Sequence, residues 1–371
     1  MNTGLYLRAG ETAEITAAGT WTVDGASLGP DGDPGLDEER GCTKGMLVAR
    51  SGLRFEEAVT CIGEGATFTA PSDDIVYVGM IFSTDLGETY GDRLRLGGAI
   101  EVTVTSEGDT VPTVAADAVA TYDFDAVASG QVELESDYNL VTIDAAQVAL
   151  DRDEAVEGLA TLDSIYTIEA DMRGMTPFSG QRVRWYPDET ISAFAYMLAG
   201  NPVRCDPGLM TGNDSQRILR SGETGTDIWG FAHELGHTFT LANGAWVYMY
   251  TNLESWPNLF TLRALEELGR TDDQPNYDSY CDGREAFLSA PEYEQVRDDP
   301  FLQLCFLKEF EAVYGDDFYD DFYRGMNEQS NDDLRYDGTD ASIWRYVRDR
   351  FDLSAGEDTS YLFEEWAIPL E

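Results

Sequence analysis

Asp227-Ile228-Trp229-Gly230-Phe231-Ala232-His233-Glu234-Leu235-Gly236-His237-Thr238-Phe239-Thr240 is the stretch on which the reading turns. Residues four apart share one face of a helix, so His233 and His237 can aim both imidazoles at a single ion. Glu234 follows the first histidine and lies beside the position such an ion leaves open, where a carboxylate can take a proton from water. The chain contains two histidines in all, and both are in this motif. A zinc site is therefore expected, with His233 and His237 as ligands and Glu234 as general base. Asp227 is the expected N-cap of this helix, and Gly236 leaves room for a neighbouring segment to approach closely.

No third histidine exists, so a three-histidine site is excluded and the remaining ligand must be a carboxylate or something less usual. Glu254, with sixteen residues between it and His237, is a candidate.

Working outward, Ser255–Leu268 and Asp299–Tyr314 show helical spacing, with Ser255 and Asp299 as candidate N-caps ahead of early prolines. Toward the N-terminus the period changes. Thr12–Thr16, Gly45–Arg50, Ile75–Phe82 and Ala99–Thr105 alternate or cluster apolar residues between turns rich in Gly, Asp and Pro, as strands of an all-β sandwich do. Residues 106–128 are small and acidic, the composition of a linker.

The 371 residues carry 70 acids against 24 bases, a formal charge of -46. Lys44 and Lys308 are the only lysines. The acids are spread along the chain, which is the surface composition of extreme halophiles; molar salt screens its self-repulsion within a few ångströms. No basic stripe exists, so nucleic acid is excluded as a partner. No run approaches the ~18 apolar residues of a transmembrane segment. After Met1, Asn2-Thr3-Gly4 shows neither the charged start nor the apolar core of a secretory leader. Five cysteines are too few for a disulfide scaffold. Cys42 and Cys61 share the N-terminal region and can pair, whereas Cys305, in an apolar helical run, is expected to be buried and free.

Two resemblances extend these readings. AFAYMLAGNPVRCD (193–206), GAWVYMYTNLESW (244–256), FLQLCFLKEFEAVYGDDFYDDFYRGM (301–326) and DTSYLFEEWAIPL (358–370) follow one another as in family sixty of the metallopeptidases, the enhancin- and mucinase-like gluzincins. That resemblance covers roughly residues 129–371. It implies zinc-dependent hydrolysis of peptide bonds in glycoproteins, at the cell surface or outside the cell. Aligned on Thr251-Asn252-Leu253, it puts Tyr248 where the family has its glutamate ligand; on one regular helix Tyr248 and Glu254, six residues apart, lie about 120° around the axis and cannot both face the metal. AAGTWTVDGASLGPDGDPGL (17–36), GMLVARSG (45–52) and STDLGETYGD (83–92) are similar to the small calcium-dependent galactose-binding bacterial lectins. This second resemblance implies a glycan-binding module with calcium-ligand positions at Asp85, Thr89 and Asp92. Arg93 stands where those lectins have an amide ligand.

The expected architecture is an α+β multidomain chain. It has a lectin-like β-sandwich at 1–106, a linker at 107–128 and a mixed, mainly helical gluzincin-type catalytic domain at 129–371. The alternative is a catalytically weak or inactive peptidase fold that binds carbohydrate or protein at the cell surface.

Overall fold

Alternation of apolar and polar residues puts every second side chain of a strand on one face, and the N-terminal third follows that rule. In the computed structural model, which describes residues 1–23, 26–35, 38–54, 58–81, 96–211, 217–242, 245–329 and 337–371, this region forms two main antiparallel sheets. The first orders its strands Asp109–Thr110, Asn2–Leu7, Asp74–Met80, Leu47–Ser51, Thr60–Cys61. In the second, Thr12–Val23 pairs with Leu96–Thr105, with Ala26–Leu28 and with Gly65–Thr69. Leu7, Leu47, Ala49, Val76 and Val78 of the first sheet share a buried cluster with Ala13, Ile15 and Phe68 of the second. Asp85, Thr89 and Asp92 lie outside the described residues.

The third sheet is mixed and runs Thr113–Ala115, Gln131–Glu135, Asn139–Asp144, Val183–Pro187, Val203–Cys205, Met197–Leu198. Its last strand is short and antiparallel to its neighbour, so it forms an edge. The stretch expected as a linker supplies a strand to each side: Asp109–Thr110 pairs with Asn2–Leu7, and Thr113–Ala115 pairs with Gln131–Glu135. The first and third sheets also meet directly. Leu53, Ile75, Tyr77, Val111 and Tyr186 are buried together, and the Tyr186 hydroxyl donates to Asp74 at 2.6 Å.

Six helices carry most of the remaining core: α1 (Arg152–Arg173), α2 (Trp229–Thr240), α3 (Ser255–Leu268), α4 (Pro300–Tyr314), α5 (Phe318–Asn327) and α6 (Asp340–Ala355). Leu159, Leu162 and Ile165 of α1 join Val141, Val183 and Trp185 of the sheet and Phe231 and Leu235 of α2 in one cluster. Asp299 caps α4 as expected, accepting from the N–H groups of Phe301 and Leu302, with Pro300 at the first helical position. Ser255 is not a cap: it is the first residue of α3, behind Glu254, and its hydroxyl donates to the Pro300 carbonyl.

Cys42 and Cys61 are joined, with Cα atoms 5.5 Å apart. Cys305 is buried but not free, because it is bonded to Cys281. Its position on α4 brings the two Cα atoms to 5.2 Å, within disulfide range. The unbonded cysteine is Cys205, buried in the third sheet.

Two buried charged residues lie on α1. Arg173, in its last turn, donates through Nε to the Phe239 carbonyl at 3.1 Å and through Nη1 to the Tyr323 carbonyl at 3.3 Å and to Asn327. Glu169 is the opposite case, since neither carboxylate oxygen has a hydrogen-bond partner. Burial pushes its pKa well above the ordinary 4.5. The sign of the linkage follows. Above about pH 4.5 the unfolded chain releases this proton while the folded chain keeps it, so stability falls as pH rises. One such group contributes a slope of ~1.4 kcal/mol per pH unit up to its folded pKa. Glu169→Gln should remove that slope, and urea midpoints of both proteins at about pH 5, 6 and 7 measure it. Parallel pH profiles would show that Glu169 ionises freely.

Candidate metal centre

Helix α2 is started from outside its own sequence. Asp227 Oδ1 accepts from the Trp229 N–H at 3.0 Å, but the residue in the cap position is Ile228. The Gln274 amide oxygen accepts from both Ile228 and Trp229, at 3.0 and 3.1 Å, while its nitrogen donates to the Thr226 carbonyl. Gly236 does what its position suggests. A Cβ there would meet the Pro257 carbonyl oxygen of α3 at 2.6 Å, so α2 and α3 touch backbone to backbone.

That contact brings the start of α3 over the two histidines. The Nε2 atoms of His233 and His237 are 3.1 Å apart, and Glu254 Oε2 lies 2.9 Å from the first and 3.4 Å from the second. Glu254 reaches this place because the chain is not one helix here. Val247–Thr251 is a short 3-10 turn, Asn252 is extended, and α3 begins only at Ser255. Asn252 sets the connection, its amide oxygen accepting from the Glu254 N–H at 3.0 Å and its nitrogen donating to the Arg297 carbonyl at 2.8 Å. Tyr248 faces the other way. It is fully buried against Trp256, Phe322 and Tyr323, with ring centroids 4.6, 5.8 and 6.1 Å away.

The donor set can be tested against zinc. Bonds of about 2.0–2.1 Å in a tetrahedron separate the ligand atoms by about 3.3 Å, close to the three distances found. His233 Nδ1 is 2.7 Å from Asn258 Oδ1; a proton held there leaves Nε2 with its lone pair directed at the other donors. His233, His237 and Glu254 form the one group of three or more metal-ligating side chains among the described residues. The residues fit the ion.

Electrostatics agree. Burial pulls the His233 pKa down, but the Glu254 and Glu234 carboxylates outweigh it and the net direction is up. Hydrogen bonds from His233 and then His237 hold the Glu254 carboxyl well below its usual range. A cluster that favours positive charge in this way is suited to a cation. Burial pushes Glu234 upward, against the pull of the two histidines and a hydrogen bond from the Ala199 N–H. Ala199 directly follows the edge strand Met197–Leu198, so that edge runs past the carboxylate.

Asn258, Asn252 and Gln274 are the residues that the sequence reading missed. Asn258 had a faint signal, a polar residue within the apolar run Trp256-Pro257-Asn258-Leu259-Phe260.

A helix with two imidazoles one turn apart, a carboxylate delivered by the next helix and a short edge strand alongside define the metallopeptidase class of fold. The chain belongs to the family described as Peptidase M60, enhancin and enhancin-like, whose profile matches residues 127–366. Among solved structures, a functionally unknown conserved protein from Bacillus anthracis is similar over 100% of this chain and 70% of its own, with a TM-score of 0.68 and 16% identity. The ZmpB metallopeptidase from Clostridium perfringens matches over 100% of this chain and 74% of its own, at TM-score 0.59 and 16% identity. The M60 catalytic domain of ZmpC from the same organism, in complex with the sialyl T antigen, matches over 100% and 72%, at 0.56 and 14%. At these identities the likeness shows the fold. No curated protein matches the sequence. Among the described residues no helix is long and apolar enough to cross a membrane.

Proposed function

We propose that this protein is a zinc-dependent endopeptidase acting on glycoproteins outside the cell or at its surface. The observation that carries the reading is the convergence of His233 Nε2, His237 Nε2 and Glu254 Oε2 within 4.8 Å of one another. In it, His233, His237 and Glu254 hold the metal and Glu234 is the base. Bound zinc lowers the pKa of water to about 7 and polarises a carbonyl. Glu234 takes the proton of the attacking water and passes it to the leaving amine nitrogen. The Ala199 N–H orients that carboxylate, and the edge strand Met197–Leu198 offers the substrate backbone a strand to lie beside. Asn258 keeps His233 in the tautomer that presents Nε2.

The glycoprotein part rests on the family and on the sialyl T antigen bound by ZmpC. We read residues 1–106 as a lectin-like β-sandwich preceding the 107–128 connection and the 129–371 catalytic domain, with calcium at Asp85, Thr89 and Asp92. The charge of -46 points to a halophile, for which the unfolding midpoint rises as salt goes from about 0.1 to about 1 M and the Debye length falls from ~10 to ~3 Å. An unchanged midpoint contradicts that assignment. The alternative of an inactive binding protein drew on Tyr248 replacing a carboxylate, and Glu254 supplies one beside both imidazoles.

The test is metal content per chain together with cleavage of a glycosylated peptide. One zinc per chain is expected. Glu254→Gln should weaken zinc by about ten-fold or more, as loss of one of three protein ligands does, and Tyr248→Phe should leave it unchanged. The reverse pattern would return the third ligand to Tyr248.

A further inference from the structure

Opposite the metal centre along the same edge segment lies a crevice of about 400 Å³ between the first and third sheets. Arg40 and Arg50 come from the N-terminal region, and Arg184 and Arg204 from the third sheet. No Asp or Glu lines it among the described residues, in a chain where acids outnumber bases 70 to 24. Bringing four of the few cations to one concave place, with no acid among its described lining residues and Glu133 and Asp188 set behind two of them, is an arrangement that draws an anion. Two of the four are braced from behind. Arg184 Nε donates to Glu133 at 2.8 Å and its guanidinium lies 5.5 Å from the centre of the Tyr77 ring. Arg204 Nε donates to the Leu53 carbonyl at 2.9 Å, with Asp188 at 3.9 Å. Their side chains are 16% and 19% exposed, so salt screens them less than surface charges.

We propose that this crevice binds a sugar acid, a carboxylate on a ring of monosaccharide size. Guanidinium groups offer paired N–H donors that match a carboxylate and can serve ring hydroxyls as well. Val48, Val78, Ile81 and Pro202 form apolar wall for the C–H face of such a ring, and the volume is within the range of small-ligand pockets, about 300–1,000 Å³. A bare oxyanion would leave that wall without a partner. Asn201, Pro202 and Arg204 of the crevice follow closely on Ala199, whose N–H meets Glu234. The crevice and the metal centre are thus opposite ends of one short segment. The assignment is independent of hydrolysis.

Calorimetric titration of the full chain with glucuronic acid, its neutral counterpart glucose and inorganic sulfate, at constant ionic strength, tests it. Glucuronic acid should bind and glucose should not, with sulfate at least ten-fold weaker than the sugar acid. Arg50→Gln should weaken glucuronic acid ten-fold or more, as should Arg40→Gln, an exposed position where the change spares the fold. Equal binding of glucose, sulfate as tight as the sugar acid, or wild-type affinity in both variants would each overturn the proposal. Metal content and peptide cleavage are read separately, so failure here leaves the reading of the metal centre standing, and the reverse.

Discussion

Glu234→Gln is expected to retain its metal and lose hydrolysis by about two to four orders of magnitude, the usual share of a positioned acid–base group. The amide is nearly isosteric and Glu234 is not among the three converging donors, so the metal site should survive. What disappears is the ability to take a proton from water and return it to the leaving amine. The Ala199 N–H still finds an oxygen acceptor in the glutamine side chain, so orientation is preserved and the loss isolates proton transfer. Single-turnover cleavage, with zinc measured on the same sample, checks this. Activity near wild type would remove Glu234 from the mechanism.

Gly236→Ala should be the most damaging small change near the site. Alanine gains about 0.5–1 kcal/mol over glycine in a helix interior. Against that, its Cβ would fall 2.6 Å from the Pro257 carbonyl oxygen and 3.1 Å from the Pro257 Cα. These are backbone atoms that cannot swing aside, and overpacking of this kind costs about 1–3 kcal/mol. The steric cost wins. Relief requires α3 to move off α2, which carries Glu254 and Asn258 away from the imidazoles. A lower unfolding midpoint together with weaker zinc binding is expected; an unchanged midpoint would mean that the two helices are not held in contact.

The legibility of this site in the sequence follows the range of the interactions. The helix with His233 and His237 was readable because its period is local, and Gly236 because a missing side chain next to a ligand implies a close neighbour. The third donor was readable only as a choice between Glu254 and Tyr248. Comparing Tyr248 with Glu254 by angle assumes one regular helix through both, whereas the chain turns at Val247–Thr251 and extends at Asn252. The helix start expected at Ser255 already argued against that assumption, because it leaves both residues ahead of the helix. Gln274, which starts α2, is 45 residues from Trp229, and Cys281 is separated from Cys305 by 24; both contacts exist only once the helices pack. In the N-terminal third the strands were legible through their alternation. The role of residues 106–128 was not, since short strands in an acidic, small-residue stretch look like connection.

Arg173 closes off the C-terminal carbonyls of two helices at once, Phe239 near the end of α2 and Tyr323 in α5, while the Asn327 amide donates back to its own carbonyl at 3.0 Å. A buried guanidinium cannot release one of these carbonyls without stranding charge in the core. The fraying that normally begins at helix ends is therefore blocked at this junction. The histidine-bearing helix is thus expected to melt together with α1 and α5. Its amides should exchange with solvent at the rate of that whole block, and the site is lost in one step instead of loosening by degrees.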